Sequence, residues 1–110
     1  MKFHHIGIEV NDLQEESHKL KKLGFQEESF LVLNGEKLLF MKKDQLLLEL
    51  IETDSKGTEI HFCFEVKTFD DLQNSGFKII EGPSVMNNGW ETMFVQGIDN
   101  LMIEFLRIEG

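Results

Sequence analysis

At 110 residues the chain has room for one domain and one modest core. Its 41% hydrophobic and 28% charged residues are those of a globular protein, and no run approaches the roughly 18 apolar residues that a bilayer span needs. A net charge of −9, from 20 acidic against 11 basic residues with Arg107 as the single arginine, excludes nucleic acid and anionic membrane as partners, because clustered Lys and Arg hold both. The basic runs Lys19, Lys21, Lys22 and Lys42, Lys43 read as solvated faces. One cysteine, Cys63, excludes an intrachain disulfide, and the opening MKFHHIGIEV lacks an apolar leader. The expected location is cytoplasmic.

In chain order, residues 2–10 alternate in character and predict a strand. Asn11 or Asp12 then caps a helix over 13–22, with Glu15 and Glu16 in its first turn, Lys21 and Lys22 in its last, and Gly24 just past its end. Strands follow near 27–33 and 37–42, joined by Asn34-Gly35, the strongest short hairpin signal. A further strand covers 45–52, and Asp54, Ser55, Lys56 and Gly57 form a polar linker. Beyond it the pattern predicts a strand at 58–66, a short helix near 69–75 starting from Thr68, and a strand at 77–81. An irregular stretch through Gly82-Pro83 and Asn87-Asn88-Gly89 leads to strands near 91–96 and 101–108.

The element order is therefore βαβββ written twice, in a single domain with module one at 1–53, the linker at 54–57 and module two at 58–110. The residues repeat as well as the elements. HIGIEV at 5–10 reappears as HFCFEV, with His61 following His5 by 56 positions. LGF at 23–25 matches SGF at 75–77. LLLELI at 46–51 matches LMIEFL at 101–106, with Glu104 following Glu49 by 55 positions.

Side chains alternate across a strand, so positions two apart share a face. Ile6, Ile8 and Val10 make an apolar face suited to lie under the helix, and His5, Gly7 and Glu9 make the other. Phe62, Phe64 and Val66 repeat the first face, and His61, Cys63 and Glu65 the second. Leu46, Leu48 and Leu50 face the helix while Glu49 points away; Ile103 and Phe105 do so while Glu104 points away. Two such sheets related by a pseudo-twofold would curl into a half-open mixed-sheet cup with helices outside, an α+β fold. His5, Glu49, His61 and Glu104 would then meet near its axis.

A lone histidine on a strand is more often a hydrogen-bonded structural residue than a ligand. Glu49 and Glu104, however, lie among apolar neighbours on both sides, where an uncompensated carboxylate is costly. Two neutral imidazoles and two carboxylates suit a divalent ion, Zn, Ni, Mn, Co or Fe. His4 and His18 read as structural or exposed, Cys63 as a buried inert thiol, and Phe30, Phe40 and Phe94 as core. Met86, Trp90 and Met93 fall where either a rim or the core would use them.

Four motifs in this order resemble the vicinal oxygen chelate superfamily, which includes glyoxalase I, methylmalonyl-CoA epimerase, extradiol dioxygenases and resistance proteins. FHHIGIEV resembles its opening strand, LLLELIE the strand ending the first module, EIHFCFEV the opening of the second, and VQGIDNLMIEFL the closing hairpin without the usual proline. The resemblance implies metal ligation by His5, Glu49, His61 and Glu104. A His-Glu-His-Glu set looks most like glyoxalase I, in which the metal polarises two adjacent oxygens and a glutamate moves a proton between adjacent carbons. By that resemblance Glu104 is the leading base and Glu49 the second. Glutathione-using relatives carry an arginine where this chain has Glu9, and epimerases usually have glutamine in place of the first glutamate. Extradiol dioxygenases use further His or Tyr groups beside the metal ligands for acid–base steps, and this chain has no tyrosine. The expectation is a small metal-dependent lyase or isomerase with a small-molecule substrate, forming a homodimer. The rival is a non-catalytic, ligand-sequestering module of the bleomycin-resistance kind, whose members generally lack the complete ligand set.

Overall fold

In the computed structural model, which describes residues 1–54, 59–72 and 75–108, the chain order is β1 (Lys2–Val10), α1 (Leu13–Lys22), β2 (Gln26–Leu33), β3 (Glu36–Lys43), β4 (Leu46–Glu52), β5 (Ile60–Glu65), a 3-10 turn (Asp70–Leu72), β6 (Lys78–Val85), β7 (Glu91–Gln96), a second 3-10 turn (Ile98–Asn100) and β8 (Met102–Arg107). Packing divides the chain into two units, one of His5–Ile60 and one of Met1–His4 with His61–Gly110. Residues 55–57 of the expected linker, and the first residue of the strand expected from 58, lie outside the described residues.

In the His5–Ile60 unit, β1 runs parallel to β4, β4 antiparallel to β3, and β3 antiparallel to β2. A parallel pair needs a crossover, and α1 lies on that connection. Asp12 caps the helix by accepting a hydrogen bond from the Glu15 amide at 3.1 Å, and Glu52 of β4 accepts from the Leu13 amide at 3.1 Å. The helix ends in a Schellman pattern: the Gly24 amide reaches Lys21 O at 3.0 Å and the Phe25 amide reaches Leu20 O at 3.1 Å. Gly24 has φ +101, which is why glycine stands there. Leu13 meets Leu39, Met41 and Leu50 of the sheet, with Ile8, Val10, Leu20 and Phe25 packed around them. Asn34 (φ 52) and Gly35 (φ 83) make the expected β2–β3 turn.

The second unit repeats this topology, with β5 parallel to β8, β8 antiparallel to β7, and β7 antiparallel to β6. Its core is Val66, Leu72, Met93, Val95, Ile103 and Phe105, with Phe64 and Phe69 against it. Phe3 sets its ring edge-on to Phe64, 5.6 Å between centroids, which ties the first residues of β1 to this unit.

Two expectations need correcting here. The helix near 69–75 is a single 3-10 turn, Asp70–Leu72, and residues 73–74 lie outside the described ones. Seven residues rich in Asp and Asn are too few to repay helix nucleation. The Thr68 hydroxyl accepts from the Asp70 amide at 3.1 Å, and the Ser75 hydroxyl donates to Leu72 O at 2.7 Å, so local side-chain bonds close the turn instead. Among the described residues α1 is the one α-helix, and the fold is mostly mixed sheet rather than α+β with helices outside.

The strand expected at 77–81 continues to Val85, through a cis Gly82-Pro83 bond and two register shifts against β7. An outermost strand tolerates proline, since no ladder bond is lost on its open side. Every residue of β6 is exposed, and β2, outermost in the other unit, is exposed except at Leu31 and Leu33. Phe30, expected in the core, is 51% exposed for this reason.

Candidate metal centre

The parallel pairings build each histidine–glutamate contact. Gly7 of β1 lies opposite Glu49 of β4, and His5, two residues earlier, shares its face. His5 Nε2 stands 3.3 Å from Glu49 Oε1, with both residues buried. In the other unit Cys63 of β5 lies opposite Glu104 of β8, and His61 pairs with Met102, one diagonal step from Glu104. His61 Nε2 stands 3.1 Å from Glu104 Oε1, again with both residues buried. The same construction therefore occurs twice, once in each unit.

The donor chemistry of each pair fits a divalent ion. Two ligand atoms about 2.1 Å from one ion, at octahedral or tetrahedral angles, lie roughly 3.0–3.4 Å apart. The two contacts, 3.3 and 3.1 Å, match that spacing, so each pair can offer an imidazole nitrogen and a carboxylate oxygen without rearrangement. A ligating Nε2 must be the unprotonated nitrogen, and each carboxylate must be ionised.

Three further residues shape these pairs. Phe40 of β3 lies directly opposite Glu49, and Phe94 of β7 directly opposite Glu104. Each ring stands edge-on to the histidine of its own unit, His5–Phe40 at 5.7 Å and 89°, His61–Phe94 at 5.6 Å and 76°. Both were expected in the core; Phe40 is buried at 4% exposure and Phe94 is half-buried. A readable signal existed: Phe94 follows Phe40 by 54 positions, nearly the offset of the two glutamates. The third residue is Thr92, whose buried hydroxyl donates to Glu104 Oε2 at 2.5 Å. Its place in the other unit belongs to Leu38, opposite Ile51 as Thr92 is opposite Leu106.

The remaining candidates take lesser positions. His18 is exposed on α1, and His4 is half-buried with its ring edge-on to Trp90 at 6.2 Å. Cys63 is wholly buried. Met93 belongs to the core, while Met86 and Trp90 are half-buried in the β6–β7 turn, where the Met86 amide donates to Trp90 O at 2.7 Å. Arg107 donates to Glu91 Oε1 at 2.9 Å and to Lys67 O at 3.1 Å.

No family model matches the sequence, and no curated protein matches it. Solved structures match its fold. A hypothetical protein from Bacillus halodurans C-125 has a TM-score of 0.79 at 20% identity, over 99% of this chain and 95% of that one. A methylmalonyl-CoA epimerase variant from Streptomyces coelicolor, in complex with 2-nitronate-propionyl-CoA, has a TM-score of 0.73 at 20% identity, over 100% and 99%. A glyoxalase I mutant from Zea mays has a TM-score of 0.71 at 16% identity, over 100% of this chain and 44% of that one.

Proposed function

Starting from the vicinal oxygen chelate fold, which this chain shares with those structures, we propose that the protein is a small metal-dependent lyase or isomerase of the glyoxalase I type. Its substrate is a small molecule with two adjacent oxygen atoms. The observation that carries this reading is the buried histidine–carboxylate contact found at equivalent register in both halves. His5, Glu49, His61 and Glu104 together would hold one divalent ion, Zn, Ni, Mn, Co or Fe, and their two negative charges balance it. When bound, the ion supplies a Lewis acid for the charge that develops on the substrate oxygens.

The other steps fall to the chain's own residues. Glu104 takes the proton from the carbon beside the carbonyl and returns it to the neighbouring carbon, with Glu49 as second base. Phe40 and Phe94 keep water from the flanks of the two histidines. Arg107 is engaged with Glu91 and the Lys67 carbonyl, so substrate recognition does not rest on an arginine–anion pair. A homodimer belongs to the same reading, supported by the exposed apolar residues Phe30, Val32, Ile79, Ile80 and Val85 on the outermost strands.

Elemental analysis combined with a turnover screen over thiohemiacetals and 2-oxo compounds tests the proposal. The expected result is one divalent ion per chain and turnover of at least one such compound. Glu104→Gln should then lower kcat by about 10²–10⁴-fold, the usual contribution of a positioned base. A purified chain that neither carries nor acquires a divalent ion would favour the ligand-sequestering module instead.

A further inference from the structure

We propose that Thr92 is a positioning residue for the Glu104 carboxylate, fixing which of its two oxygens is offered to the metal. The inference rests on the metal-binding reading above and adds a residue to it. The Thr92 hydroxyl donates to Oε2 at 2.5 Å while Oε1 faces His61 Nε2 at 3.1 Å, so the two oxygens have separate duties. A short hydrogen bond to an ionised oxygen is among the stronger kinds, and stronger still away from water. Both residues are buried, Thr92 at 8% and Glu104 at 6% exposure. The carboxylate cannot turn about its last torsion without giving that bond up. Glu104 is therefore presented to the metal through Oε1, as a one-oxygen ligand, and Oε2, whose second lone pair the Thr92 bond does not use, is the oxygen that serves as base.

The repeat supplies an internal control. The fold builds the same position in its first half and fills it with Leu38, which is buried at 4% exposure and has no hydrogen to donate. The packing of this sheet therefore does not demand a hydroxyl there. At Thr92 the hydroxyl meets the Glu104 carboxylate instead.

The test is titration of the full metal-free chain with Co²⁺ alone, followed by the visible absorption of the bound ion, for wild type, Thr92→Val and Thr92→Ser. Valine keeps the shape and removes the hydroxyl; serine keeps the hydroxyl. Thr92→Val should weaken Co²⁺ binding by about 10–100-fold and change the absorption bands, as expected when an orienting partner is lost. Thr92→Ser should stay within about threefold of wild type, near-ultraviolet circular dichroism showing that both variants are folded. Wild-type binding with equal affinity in Thr92→Val overturns this inference and leaves the metal reading intact. So does a Thr92→Ser as weak as Thr92→Val, which would assign the effect to the lost methyl group. Failure of the wild type to take up Co²⁺ overturns both.

Discussion

A carboxylate beside an imidazole, both away from water, is the unit this chain repeats, and Gly82 lies against the backbone of the strand that carries Thr92. It has φ +94, and an added Cβ would come within 2.7 Å of the Thr92 carbonyl oxygen. Gly82→Ala should therefore cost about 1–3 kcal/mol, from a disfavoured backbone conformation and a clash with backbone that cannot swing aside. Thermal melting checks it, and an unchanged melting temperature would show that β7 yields easily. Strand parity alone was enough to read that His5 and Glu49, or His61 and Glu104, share a face. It was not enough to read that Phe40 stands opposite Glu49, or that Thr92 reaches Glu104. Those facts depend on which residue of one strand meets which of the next, and turn lengths and bulges set that register.

At the scale of elements, the bounds of α1 were legible because its charge order and its Gly24 stop agree, while its cap, left between Asn11 and Asp12 in the sequence, is Asp12. Asp12 carries a measurable part of the helix's stability. Asp12→Ala removes the acceptor of the Glu15 amide and should cost about 1 kcal/mol, lowering the melting temperature by a few degrees. The Glu52 contact to the Leu13 amide remains in the variant, so the helix should persist by far-ultraviolet circular dichroism. The second module was less legible. Its expected helix has too few residues and too many side chains that bond their own backbone. The continuation of β6 past Pro83 was hidden because proline usually marks an end. Only a strand's position at the sheet margin removes that penalty, and position in a sheet is not a local property.

For the whole molecule, acidity and topology act together. Each unit leaves its outermost strand, β2 or β6, with one margin not paired to a strand among the described residues, and with exposed apolar side chains. Such strands are templates for pairing with further chains, and mutual repulsion is one way to stop association at a dimer rather than an open aggregate. The net charge of −9 supplies that repulsion at neutral pH. Light scattering from the purified protein should rise as pH falls toward the isoelectric point of about 4.8, and Ile79→Lys with Val85→Lys should reduce the rise. A chain that stays clear at that pH would show that its margins are protected by something other than charge. An acid step, such as a low-pH elution or an acidified compartment, thus strips this protein of its shield, and molecules still folded at that point would zip together rim to rim.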